Sequence, residues 1–130
     1  MQRRKLIRTA ALALAATAIP FAAPAMAQAW PSKPITYVVP FPPGGTTDVL
    51  ARIIGQKLGA ALGTTIVVEN KPGAGGNVGS EFVSKAAPDG YTILGGTISS
   101  HAINVSLYPK LPYDPVTSFQ PITLIGTNPN

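Results

Sequence analysis

Three short strand-like runs, each leading into a loop of glycine, proline or small polar residues, constrain this chain more than any other feature. Residues 35–39 (ITYVV) are β-branched and aromatic and lie between Pro34 and Pro40, the composition of a buried strand. Residues 65–69 (TIVVE) and 91–96 (YTILGG) repeat the pattern. Between the first two runs the apolar period changes. Leu50, Ile53, Ile54, Leu58, Ala61 and Leu62 recur at helical spacing, with Arg52 and Gln56 on the other side, and Gly63 is a natural stop. The sequence thus predicts a helix over about 46–62. A second helix, with Val78, Phe82, Val83 and Ala86 on one side, is expected from an N-cap at Asn77 to about Ala87. Strand, helix, strand, helix, strand with short connections is the signature of a parallel sheet with right-handed crossovers. A short helix ending near Leu107 and a fourth strand over 120–126 complete the expectation.

The amino-terminal 27 residues follow a different logic. MQRRKLIR is basic, the next stretch is rich in alanine, and Ala25-Met26-Ala27 places small residues before Gln28. This is the three-part pattern of an export signal, with the Sec route favoured over the twin-arginine route. A soluble, periplasmic product with no stable membrane insertion after cleavage is expected. Arg3, Arg4, Lys5 and Arg8 hold four of the ten positive charges, so the chain from Gln28 onward carries six basic and five acidic residues. That balance gives no electrostatic footprint for nucleic acid. The absence of cysteine excludes thiol nucleophiles and cysteine-ligated metals, and a single histidine excludes histidine-cluster sites.

In a parallel sheet, ligands bind beyond the carboxyl ends of the strands, against the starts of the following helices. Three loops are expected on that edge. The first, 41–48, offers Phe41, Pro43, Gly44, Gly45, the hydroxyls of Thr46 and Thr47, and Asp48. Asp48 can cap the helix, accept a ligand's amine or hydroxyl, or hold the loop by bonding backbone donors. The second, 73–79, fits only a loose G-x-G-x-x-x-G, because Val78 stands where the dinucleotide fingerprint needs glycine. The third, 97–101, contains Thr97, Ser99, Ser100 and His101, without the G-x-S-x-G of a nucleophile elbow.

The strings WPSKPITYVVPFPPGGTTDVLAR, VVENKPGAGGNVGSEFVSKAAPDGYTILGGT and HAINVSLYPKLPYDPVTSFQPITLIG closely resemble the solute-binding receptors of tripartite tricarboxylate transporters, the Bug family. The resemblance runs over nearly all of residues 30–127. It implies an α/β, periplasmic-binding-protein-like (type II) lobe with a mostly parallel sheet flanked by helices. It also implies capture of a small organic carboxylate, delivery to membrane permease subunits, and neither catalysis nor a cofactor. On that pattern 1–27 is the signal peptide and 28–119 the first lobe. Residues 120–130 form a strand leading to the hinge, with the chain truncated before the second lobe. The resemblance puts loops 41–48 and 97–101 on the ligand cleft, with Asn77 the contact candidate of the second loop. The competing expectations are an exported α/β hydrolase using Ser99 or Ser100 with His101, and a dinucleotide-binding domain using 73–79.

Overall fold

The computed structural model describes residues 29–127; the export signal expected over 1–27 lies outside the described residues. The elements are β1 (Ile35–Val39), α1 (Thr46–Leu62), β2 (Ile66–Asn70), α2 (Asn77–Ser84), β3 (Thr92–Leu94) and α3 (Asn104–Leu107). A 3-10 turn (Ala74–Gly76) precedes α2, and a π-helical turn (Ser99–Ile103) runs into α3. The three strands form one parallel sheet in the order β2-β1-β3. Among the described residues, no helix is long and apolar enough to cross a membrane.

The central strand explains the core. β1 is hydrogen-bonded on both edges, and Ile35, Tyr37, Val38 and Val39 are all buried. Alternation along the strand puts Tyr37 and Val39 on one face. There they meet Ala51 of α1, with Phe41, Ile66, Val68 and Ile93 around them. Gly63, in the left-handed region at φ 65°, ends α1 where the sequence places the stop, and its N–H donates to the Gly59 carbonyl.

Both helices bury small residues deepest. Ile54, Leu58 and Leu62 of the first apolar stripe and Val83 of the second are half-buried, and other stripe positions are more open than the sequence suggests. In α1 the buried positions are Asp48, Ala51 and Gly55, while Leu50 and Ile53 are exposed, Ile53 at 54%. The reason is close approach. A β-carbon at Gly55 would stand 3.2 Å from Ile66 Cγ2, and one at Gly59 would stand 2.8 Å from the Thr64 carbonyl. In α2 the buried residues are Asn77, Gly79 and Ser80, whereas Val78 and Phe82 are exposed. The Lys71 ammonium lies 4.1 Å above the Phe82 ring.

Two further expectations need correction. α2 ends at Ser84, not Ala87. The segment expected as a fourth strand, 120–126, joins no ladder among the described residues, and Ile122 and Leu124 are each 78% exposed. Its β-branched composition favours extension, but a strand exists only where another edge supplies hydrogen bonds.

Candidate functional site

The register brings all three strand ends to one edge. Val39 pairs with Asn70, and Val38 pairs with Leu94. Beyond the strand ends, Lys71 N–H donates to the Val39 carbonyl (2.8 Å), and Gly95 N–H donates to the Val38 carbonyl (2.9 Å). The loops after β1, β2 and β3 therefore leave the sheet side by side, as the sequence predicts.

Asp48 governs the first loop. It is 3% exposed, and four hydrogen bonds fill its carboxylate. Oδ2 accepts from Gly44 N–H (2.9 Å) and Arg52 Nε (3.1 Å). Oδ1 accepts from Arg52 Nη2 (2.9 Å) and Asn70 Nδ2 (3.0 Å). The Arg52 side-chain bond, followed by those from Gly44 and Asn70, holds the Asp48 carboxyl well below the usual carboxylate range. Of the three roles open to Asp48 in the sequence, this geometry is that of holding the loop. Asn70 extends the brace by donating Nδ2 to the Phe41 carbonyl (3.1 Å).

The rim of the first loop remains open. Pro43, Gly44, Gly45 and Thr46 are exposed, while Phe41 and Thr47 are half-buried. Gly44 N–H is bonded to Asp48, but the N–H groups of Gly45, Thr46 and Thr47 have no hydrogen bond to a described residue. These are the donors that the first turn of a helix leaves unfilled. Two cations that follow the first two strands are already paired: Arg52 with Asp48, and Lys71 with Glu69 at 3.2 Å.

The second loop is built inward. Asn77 begins α2 without making a side-chain cap; it is buried, and its Oδ1 accepts from Asn104 Nδ2 (2.6 Å). The Tyr113 hydroxyl lies 2.9 Å from the same Oδ1 and 2.6 Å from the Ser100 carbonyl, so its one proton serves two acceptors. Asn104 Nδ2 also donates to the Gly75 carbonyl at 3.0 Å. This buried network joins the second loop, the third loop and the connecting segment at Tyr113. The dinucleotide reading loses its donors here, because Gly76 N–H (3.0 Å) and Val78 N–H (3.5 Å) both turn back to the Gly73 carbonyl.

In the third loop Ser100 Oγ lies 2.9 Å from His101 Nδ1, a contact between adjacent residues. It is not an exposed nucleophile. Ser100 is fully buried; its Oγ accepts from Thr97 N–H (3.1 Å) and donates to the Thr97 carbonyl (3.2 Å). Among the described residues no carboxylate hydrogen-bonds His101. Its ring instead packs against Phe119 in a tilted arrangement, with centroids 4.9 Å apart and planes at 54°. Burial pushes the His101 imidazole below its ordinary value of 6.5. Thr97, Ser99 and His101 are each half-buried at the edge of the loop.

Sequence reasoning missed Arg52, Asn70, Asn104 and Tyr113 as parts of these braces. Only Arg52 had a local signal, the i,i+4 acid–base spacing from Asp48. An apolar hollow lies at the opposite edge of the sheet. It has a volume of about 320 Å³ and is lined by Trp30, Ile35, Leu58, Leu62, Gly90, Ile93 and Ile122. It offers no donor set for a carboxylate.

Residues 50–130 match the family described as tripartite tricarboxylate transporter family receptor. Protein BugT of Bordetella pertussis is 43% identical over 109 residues, covering 83% of this chain and 33% of BugT. Solved structures are similar as well. The periplasmic binding protein BugD superposes with a TM-score of 0.65 at 45% identity, covering 72% of this chain and 31% of BugD. MatC from Rhodopseudomonas palustris with bound malate superposes with a TM-score of 0.68 at 43% identity, covering 71% of this chain and 31% of MatC. The chain thus spans about a third of the length of the relatives it matches.

Proposed function

The chain belongs to the tripartite tricarboxylate transporter receptor family, and from that membership we propose that it receives a small organic carboxylate in the periplasm. The receptor holds the acid at the rim of the sheet and passes it to permease subunits in the membrane, making and breaking no covalent bond. The observation that carries this reading is the row of unfilled N–H groups at Gly45, Thr46 and Thr47, with the Arg52 and Lys71 cations already neutralised by their own partners. Such a site selects an anion through oriented backbone dipoles in place of a free positive charge. A related protein, MatC, was solved with malate bound, which makes dicarboxylates the first class to try.

Each rim residue has a role in this reading. Gly45, Thr46 and Thr47 supply backbone donors, Thr46 and Thr47 add hydroxyls, and Phe41, Pro43 and Gly44 shape the mouth. Asp48 acts through the loop it holds. Thr97, Ser99 and His101 form the facing wall, and Asn77 supports it from beneath. Residues 28–119 make up the first lobe of a two-lobed receptor, and 120–130 lead toward the second.

Amide-resolved NMR tests the site even at weak affinity. Titration with malate and then adipate, at constant ionic strength, should move the Gly45, Thr46 and Thr47 resonances. Sodium chloride alone should leave them in place. Silence from every acid, or shifts confined to the apolar hollow around Trp30, would overturn the assignment.

A further inference from the structure

Tyr37 carries a hydroxyl that the core has no use for. The residue lies two positions before the end of β1, and its ring is buried with Val39 and Ala51 among Phe41, Ile66, Val68 and Ile93. Phenylalanine would fill that apolar space equally well, since a phenol oxygen gains nothing in such a cluster unless it reaches a polar partner. Among the described residues the Tyr37 hydroxyl makes no hydrogen bond. Yet Ser80 Oγ is the single enclosed side-chain polar atom without a partner there. The Tyr37 oxygen is therefore not enclosed; its tip opens to solvent.

Its neighbours show where the opening lies. A β-carbon at Gly95 would stand 3.3 Å from the Tyr37 hydroxyl oxygen and 3.4 Å from Thr47 Cγ2. Gly95 starts the loop after β3, and Thr47 belongs to the first turn of α1. The hydroxyl thus lies between the loop after β3 and the first turn of α1, the two segments that bound the proposed carboxylate site.

We infer that Tyr37 is a ligand-contacting residue, donating its phenolic hydrogen to an oxygen of the bound carboxylate from beneath the Gly45–Thr47 donors; this rests on the carboxylate-receptor reading above. Burial raises the phenol above its ordinary value, so at neutral pH it is protonated and able to donate. Glycine at 95 keeps the opening clear, because any side chain there would meet both the hydroxyl and Thr47.

Two measurements separate this inference from the reading it rests on. In wild-type protein labelled at tyrosine Cζ, the Tyr37 signal, assigned by its loss in Tyr37→Phe, should shift during malate or adipate titration together with the rim amides. Tyr37→Phe should fold with unchanged or higher melting temperature and bind the same acid about tenfold more weakly, as expected for losing one hydrogen bond to a charged group. Rim amides that respond while Tyr37 Cζ stays fixed, or equal affinity in Tyr37→Phe, would overturn the Tyr37 role and leave the receptor reading standing. Rim amides that respond to no acid would remove both. The Tyr37 signal can also be assigned by elimination with Tyr91→Phe, Tyr108→Phe and Tyr113→Phe, so a misfolded Tyr37→Phe would not rescue the inference.

Discussion

The Asp48 carboxylate and the Arg52 guanidinium, one helical turn apart on α1, meet in a two-point fork, with Oδ2–Nε at 3.1 Å and Oδ1–Nη2 at 2.9 Å. Asp48 is buried while more than half of the Arg52 side chain faces solvent. An exposed ion pair of this spacing contributes little. This one differs because the same carboxylate also ties the Gly44 amide and the end of β2. Its importance lies in loop geometry.

Asp48→Asn should therefore loosen the first loop before it unfolds the sheet. The Gly44 amide should exchange with solvent faster, which hydrogen exchange by NMR will report. Acid sensitivity should also change. Folding lowers the Asp48 pKa from 3.8, so below that value the unfolded chain takes up a proton that the folded chain resists. The stability this carboxylate contributes is complete above the ordinary value and is lost as pH falls toward the folded one. Melting temperature measured from pH 5 to pH 2 should fall less steeply in Asp48→Asn than in the wild type.

His101 produces a second, separate pH effect. Burial lowers its pKa from 6.5, so folding again opposes proton uptake. Its contribution is fully present above 6.5 and declines as pH drops through that value toward the folded one. Urea unfolding at pH 7.5 and pH 5.5 should show lower stability at the acid end. His101→Gln should flatten that difference; an unchanged difference would mean that the ring titrates freely.

Tyr113→Phe removes one proton shared by the Asn77 side chain and the Ser100 carbonyl. With both acceptors buried, the expected loss is about 1 to 3 kcal/mol, read from urea denaturation. Because Asn77 and Ser100 belong to different loops, amide shifts should appear in both. Shifts confined to the connecting segment around residue 113 would refute the brace.

Gly79→Ala and Gly45→Ala make a contrasting pair. A β-carbon at Gly79 would lie 2.8 Å from Pro40 Cβ and 2.9 Å from the Lys71 carbonyl, whereas one at Gly45 meets only the Pro42 carbonyl at 3.7 Å. Gly79→Ala should cost about 1 to 3 kcal/mol by forcing α2 off the sheet. Gly45→Ala should leave the melting temperature nearly unchanged, since its backbone is extended at φ −77°.

Much of the scaffold was legible in the sequence. β1 spans the residues read as a strand, α1 runs from Thr46 to Leu62 as its period predicts, and Gly63 stops it. These features depend on local period and turn chemistry. Helix orientation was legible only in part, through the half-buried Ile54, Leu58 and Leu62. The stripe through Leu50 and Ile53 is apolar, yet Gly55 and Gly59 alone allow α1 to approach Ile66 and Thr64, and that approach decided which face is buried. The segment 120–126 misled for a related reason: its composition suits a strand, but pairing needs an edge elsewhere in the fold.

For the site, the chain by itself determined that three loops of small residues leave one edge of a parallel sheet, because β-branched runs alternating with helical periods have few compact solutions. Only the tertiary structure decided which polar groups there are occupied and which remain open. Asp48 is filled by a partner 22 residues away and Asn77 by one 36 away, while Tyr37 and the Gly45–Thr47 amides donate to no described residue. Hydrogen-bond saturation is a property of neighbours in space, and no local pattern of residues encodes it.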